Sequence, residues 1–184
     1  MKFYCIRHGI AEEPNDEKED LERKLTEKGK ERIKALGKVI SKIFKKPDLI
    51  LTSEALRSLE TAEVLNSYWK SKKIETFSKL NPGATVMDYV FVLGAYINKD
   101  IIKSNYKICL ITHEPDLSHF ITAFLTKQIE YDFQTDELVF KENFINIDFP
   151  LKKGSIFVFD WDGESMEVEC YLTPSIVKRI RKNL

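Results

Sequence analysis

Arg7-His8-Gly9 places a cation, an imidazole and a residue without a Cβ in three consecutive positions. An arginine presents a fixed fork of donors that matches phosphate or carboxylate. An imidazole serves as nucleophile, base or metal ligand. A glycine lets the backbone turn sharply and lets a ligand come close. Alone, such a triplet is a weak motif. Two further residues give it partners: Arg57, shortly after Leu49-Ile50-Leu51-Thr52, and His113, directly after Ile108-Cys109-Leu110-Ile111-Thr112. Two guanidinium groups and two imidazoles describe a pocket for a dianion such as a phosphoryl group. Phosphoryl transfer needs a nucleophile in line with the leaving group and positive charge around the equatorial oxygens, and this set supplies both. A metal site built from His8, His113, Glu114 and Asp116 is the competing use of these side chains, but neighbouring arginines repel a cation. The expectation is no metal and no cofactor.

These residues converge only if the elements before them lie side by side. Phe3-Tyr4-Cys5-Ile6 and Ile108-Cys109-Leu110-Ile111 are continuous apolar runs, as buried parallel strands require. A third short apolar run covers residues 48–52. Open α/β sheets bind ligands at the carboxyl ends of their strands, and all four charged or imidazole groups fall there. Thr26 caps a helix whose Ile33, Leu36, Ile40, Ile43 and Phe44 recur at helical spacing until Pro47 stops it. Ser53 reads as the cap of a second helix running to about Lys70, and Arg57 leans back over the strand end at Thr52. Residues 84–98 read as one well-buried helix, and residues 74–77 as a short edge strand. Pro115 suits the first turn of a helix with the apolar face Leu117, Phe120, Ile121, Phe124 and Leu125. His119, inside that helix, reads as structural. Residues 126–150 are less legible, with a strand expected near 138–140. Asp162-Gly163 marks a hairpin turn between strands at 155–159 and 166–172, and Pro174 opens a basic terminal helix.

Composition narrows the classes. A chain of 184 residues, 43% hydrophobic and 32% charged, fits one domain with a sizeable core. Lys+Arg and Asp+Glu number 29 each, so net charge gives no reason to expect nucleic acid or an acidic membrane. Lys178, Arg179, Arg181 and Lys182 read as compensation of a helix dipole on a solvated face. Cys5, Cys109 and Cys170 sit in apolar runs without paired spacing and read as reduced core residues. No run reaches the roughly 20 apolar residues needed to cross a bilayer. The triplet at 7–9 stands where a hydrophobic leader would have to be, so a cytoplasmic protein is expected.

Arg7-His8-Gly9, Leu25-Thr26-Glu27-Lys28-Gly29, Ser53 to Arg57 followed by Glu60-Thr61-Ala62, and His113-Glu114-Pro115-Asp116-Leu117 occur here in that order. The ordered set resembles the histidine phosphatase superfamily, and the short spacing between Arg57 and His113 resembles its compact branch of SixA-type phosphohistidine phosphatases. Lys153-Gly154-Ser155-Ile156 sits where that branch has a similar strand start. The resemblance implies a three-layer α/β/α sandwich with a mostly parallel central sheet, phosphoglycerate mutase-like, as a single domain over 1–184. It implies His8 as the nucleophile that carries a transient phosphoryl group, with Arg7, Arg57, His113 and Gly9 at the phosphoryl oxygens. The implied substrate is a protein phosphorylated on histidine, acted on without a cofactor, nucleic acid or membrane. A phosphomonoesterase or mutase of small phosphorylated substrates is the alternative enzyme, and a non-catalytic phosphate-binding module the alternative outside enzymes. Thr112 stands where a glycine is common in the family, and Glu54 where a proline is common. The acid that protonates an oxygen leaving group in larger branches has no clear match, with Glu12, Glu13 and Asp16 as loop candidates.

Overall fold

Alternation along each buried strand sends successive side chains to opposite faces of a sheet, and here both faces are apolar. In β1 (Lys2–Arg7), Phe3 and Cys5 enter one core, while Tyr4 and Ile6 enter another. The same division holds in β2 (Leu49–Thr52) and β4 (Lys107–Thr112), where Leu51 and Leu110 face the first core and Ile50 and Ile111 the second. A sheet that is apolar on both sides must be covered on both sides. The computed structural model describes residues 1–17, 19–141 and 149–182, and has this architecture, an α/β/α sandwich. The helices α1 (Glu27–Ile43), α2 (Leu56–Trp69) and α6 (Pro174–Arg181) bring Ile33, Leu36, Leu65, Trp69 and Val177 to the second core. The opposite face is covered by α3 (Val86–Gly94), the short α4 (Lys99–Lys103) and α5 (Asp116–Leu125).

With β3 (Ile74–Thr76), β7 (Ile156–Trp161) and β8 (Met166–Leu172), the sheet has six strands in the order β3-β2-β4-β1-β7-β8. The first four are mutually parallel, and β7 and β8 return antiparallel through the expected hairpin. Arg7 pairs with Thr112, and Thr52 pairs with Ile111. The carboxyl ends of β1, β4 and β2 therefore lie level.

Two regions differ from the sequence expectation. Residues 84–98 do not form one buried helix. The α3 segment stops at Gly94, and Asn98 starts α4 by accepting from the amides of Asp100 and Ile101. Met87 is 51% exposed and Phe91 68% exposed, so one apolar flank of α3 faces outward. Residues 129–140 form a separate antiparallel hairpin, β5 (Ile129–Asp132) with β6 (Glu137–Phe140). Only its second strand was expected, because charged residues interrupt the apolar signal of the first. Residues 142–148, part of the stretch that sequence left unread, lie outside the described residues. Among the described residues, no helix is long and apolar enough to cross a membrane. The three cysteines are free, with Cys5 and Cys109 buried.

The start of α1 is fastened to the chain just beyond His8. Thr26 donates its backbone N–H to the Ile10 carbonyl at 2.9 Å, and its hydroxyl accepts from the Gly29 amide at 3.0 Å. A Cβ on Gly29 would lie 2.0 Å from that same Ile10 oxygen. Glycine at this position is a packing requirement. Gly29→Ala is expected to cost about 1–3 kcal/mol, the usual range for overpacking. Urea unfolding checks this as a lower midpoint at unchanged slope. Gly94→Ala, where an added Cβ meets nothing within 4 Å, is the control and shows no such loss.

Candidate active site

The level strand ends deliver His8, Ser53 and His113 to one edge of the sheet. The His8 amide continues the ladder by donating to the Thr112 carbonyl at 3.1 Å. The two imidazoles leave adjacent strands with ring centroids 5.0 Å apart, and both are buried. His8 Nδ1 lies 2.7 Å from the Gly9 carbonyl. A carbonyl only accepts, so Nδ1 carries the proton and Nε2 carries the lone pair. The loop after His8 thereby selects the tautomer. Gly9 is engaged at both ends, since its amide donates to Thr61 Oγ1 at 3.1 Å. That hydroxyl donates in turn to the Arg57 carbonyl at 2.6 Å. Thr61 thus ties the His8 turn to the first turns of α2.

His113 is held from the other side. Its Nε2 shares a 2.7 Å hydrogen bond with Ser53 Oγ and lies 3.3 Å from Ser58 Oγ. Its Nδ1 is buried and without a partner among the described residues. Ser53 is therefore not the cap of α2, as its sequence context suggested. The helix begins at Leu56 behind Ala55, with no side-chain cap.

Arg57 is almost fully buried and clamped by a residue that sequence reasoning passed over. Its guanidinium donates to the Asp20 carbonyl and, through Nη2, to the Asp20 carboxylate at 2.6 Å. Arg23 Nη1 binds the other carboxylate oxygen at 2.6 Å. Burial pulls the Asp20 carboxyl upward, but the two arginines outweigh it and hold it below the usual range. Glu12, Glu13 and Asp16 lie in the same polar loop and do not make this contact. Arg7 donates to the Leu151 carbonyl at 2.5 Å, and its Nε is buried without a partner among the described residues. The Arg7 and His8 carbonyls both accept from the Gly154 amide, at 3.1 and 3.0 Å. Gly154 has φ +76°, a conformation that favours glycine.

The unusual residues at the pocket edge have partners of their own. Thr112 Oγ1 accepts from Tyr89 at 2.8 Å, inside the core. Glu54 accepts from the Asn81 side-chain Nδ2 at 3.1 Å and joins the start of α2 to the turn at 81–83. Glu114 accepts from the Leu151 amide and from Ser118, and Asp116 accepts from the Gly83 amide. Those carboxylates serve backbone and hydroxyl donors, and among the described residues no group of three or more His, Cys, Asp or Glu could hold a metal ion.

Burial dominates the electrostatics of both histidines. It pushes the His8 imidazole down to about 3, with Arg57, Arg7 and Lys153 adding to the shift against the Gly9 hydrogen bond. His113 falls to about 2, through burial and then the neighbouring His8 and Arg57. Both rings are neutral at neutral pH. His8 thus has the two properties of an imidazole nucleophile, a free Nε2 lone pair and the uncharged state.

This fold and this histidine-centred cluster define a class. The sequence model of the histidine phosphatase superfamily (branch 1) matches residues 3–81. An uncharacterized protein of Picosynechococcus sp. is 31% identical over 123 residues, which span 67% of this chain and 72% of the relative. The chain belongs to the histidine phosphatase superfamily. Among solved structures, the protein histidine phosphatase SixA complexed with tungstate matches with a TM-score of 0.72 at 16% identity, over 95% of this chain and 98% of that one. SixA from Agrobacterium tumefaciens matches at 0.71 and 17% identity, over 94% and 97%. The mycobacterial glucosyl-3-phosphoglycerate phosphatase follows at 0.61 and 14% identity, over 94% and 98%. These likenesses define the fold. Fold and site together support phosphatase function at the level of the superfamily.

The buried neutral histidines have a consequence for stability. Unfolded, each ring takes a proton near pH 6.5, whereas folded each resists until far lower pH. The unfolded state binds more protons in that window, so stability is complete above about pH 6.5 and is lost as pH falls below it. Each histidine contributes a slope of up to about 1.4 kcal/mol per pH unit. His8→Gln and His113→Gln are each expected to flatten the dependence of unfolding free energy between about pH 5 and 6.5. Urea titrations across that range check it, and an unchanged slope would contradict the burial argument.

Proposed function

We propose that this protein is a metal-independent phosphatase acting on proteins phosphorylated on histidine, through a covalent phosphohistidine on His8. The observation that carries the reading is the hydrogen bond from His8 Nδ1 to the Gly9 carbonyl, which leaves Nε2 free in a buried, electropositive setting. In the first step the Nε2 lone pair attacks phosphorus, a P–N bond forms, and the bond to the leaving group breaks. In the second step water attacks the phosphoryl group, Nε2 regains its lone pair, and inorganic phosphate departs. Arg7 and Arg57 supply fixed positive charge to the phosphoryl oxygens. His113 Nδ1, buried beside His8 and without a partner among the described residues, is a further donor to the same oxygens. An arriving dianion raises the proton affinity of His113, so its charge appears only when there is negative charge to meet. Gly9 acts through its carbonyl by orienting His8, since its amide is held by Thr61.

The choice of substrate class rests on the leaving group. Among the described residues, the carboxylates nearest the histidines already have partners: Asp20 binds Arg57 and Arg23, and Glu114 accepts from Ser118 and Leu151. With those two carboxylates engaged, the site suits a phosphoramidate, whose nitrogen is protonated before it leaves, better than an alkyl phosphate. The fold likeness to SixA, a protein histidine phosphatase, points the same way.

Asp20 competes with substrate in this scheme. Its side chain is half exposed and lies in a polar loop, so a phosphoryl dianion displaces it from Arg57 without disturbing the core. Asp20→Asn weakens the competitor and is expected to tighten inhibition by tungstate severalfold, read as a lower inhibition constant. The central test is trapping of the acid-labile, alkali-stable intermediate. Rapid quench into alkali with a 32P-labelled phosphohistidine protein is expected to label His8 transiently, and His8→Ala is expected to lose both label and turnover by at least about 10³-fold, in line with removal of a nucleophile. Full turnover by His8→Ala would remove the assignment.

A further inference from the structure

An open groove of about 960 Å³ begins at the back of the site and runs between α1 and α6. It shares Arg7, Ile10 and Gly154 with the surroundings of His8. Its floor is apolar, formed by Ile10, Ala35, Pro174 and Val177. Its walls are basic. Lys28 and Arg32 come from α1, Lys152 and Lys153 from the segment before β7, and Lys178 and Arg181 from α6. Among the described residues, none of these six cations makes an ion pair. Glu31 is the one acid among the described lining residues, and Lys34 already binds it at 2.8 Å.

A chain with equal numbers of acidic and basic residues has gathered, among the described residues, six cations without an ion pair along one groove that shares Arg7 with the phosphoryl site. Dipole compensation at the end of α6 does not account for that. Lys28 and Arg32 lie in the first half of α1, away from any helix C-terminus, and Lys152 and Lys153 are not helical at all.

We infer that the groove between α1 and α6 docks an acidic surface of the phosphorylated protein substrate while its phosphohistidine enters the His8 site. The inference deepens the function proposed above and rests on it. Lys28, Arg32, Lys152, Lys178 and Arg181 are exposed and spread over three segments. Such cations suit a broad acidic face, whereas a compact second phosphate would call for convergent, buried donors. The apolar floor adds contact area that a free anion would not use. Complementary charge of this kind raises encounter rates and fixes the approach of the partner, and it weakens with salt.

The test uses the whole 184-residue chain with two probes, free phosphohistidine and an acidic carrier protein phosphorylated on histidine with phosphoramidate. Arg32→Glu/Lys178→Glu/Arg181→Glu reverses charge at residues outside the phosphoryl site. The triple variant is expected to lose at least about tenfold in kcat/KM for the acidic phosphoprotein at low salt. Turnover of free phosphohistidine is expected to stay within twofold of wild type, which also shows that the variant is folded. The salt dependence of wild-type turnover on the phosphoprotein should be largely lost in the variant. An equal loss on both probes, or no loss on the phosphoprotein, overturns the docking surface while leaving the phosphatase reading intact. Failure of the wild type to hydrolyse either probe defeats the phosphatase reading itself, and the docking inference falls with it. Binding of a random DNA oligonucleotide that the triple variant loses, with phosphoprotein turnover unchanged, assigns the groove to nucleic acid and overturns the inference.

Discussion

The pairing of β1 with β4 sets the distance on which the rest of the site depends. Because Arg7 stands opposite Thr112 in a parallel ladder, the next residue on each strand is a histidine, and the two rings emerge side by side. A slip of one residue would turn every side chain of β1 to the other face, moving Phe3 and Cys5 out of one core and Tyr4 and Ile6 out of the other. Since both faces are packed, such a slip carries the cost of two cores. The geometry of the histidine pair is therefore protected by hydrophobic burial some distance from it.

Burial also shapes the charge state of the site. Two imidazoles enclosed beside two arginines are held neutral, and each guanidinium donates to a backbone or carboxylate oxygen. The result is a centre with guanidinium groups around it and two uncharged imidazoles within. Gly9, Thr61 and Ser53 complete it. They are small residues whose hydrogen bonds connect β1, α2 and β4, so the orientation of each ring is tied to a different element.

What the sequence made legible follows from how locally each signal is written. Arg7, His8 and His113 stand at the ends of unbroken apolar runs, and their positions at strand ends could be read from a few neighbours. Thr26 and the two-sided core were equally local. Ser53 was not, because a serine after a strand and before a helix looks the same whether it caps that helix or binds a histidine from another strand. The helix starts later, behind Ala55, and frees the hydroxyl for His113. Asp20 was hidden for a related reason: its partner lies 37 residues away, and a polar loop rich in acids gives no hint of which one is used. The apolar content of residues 84–98 suggested burial, whereas the break before Asn98 and the outward flank of Met87 and Phe91 are tertiary outcomes.

The basic residues show the same limit from the other direction. At sequence level, Lys178 and Arg181 belong to a helix end, Lys28 and Arg32 to an ordinary amphipathic helix, and the total charge cancels. Charge balance over a whole chain is a statement about solubility and long-range attraction, not about any one surface. Only packing of α6 against α1, through Val177 and the residues beneath it, brings those cations to one wall. The docking of the terminal helix thus does two things at once. It closes the second core, and it turns scattered positive charge into a field that begins at Arg7. The function proposed above calls for both a tight pocket for a small anion and a wider surface for its carrier. The histidine cluster is built by strand register and the basic groove by helix packing, so mutations can alter the second without touching the first.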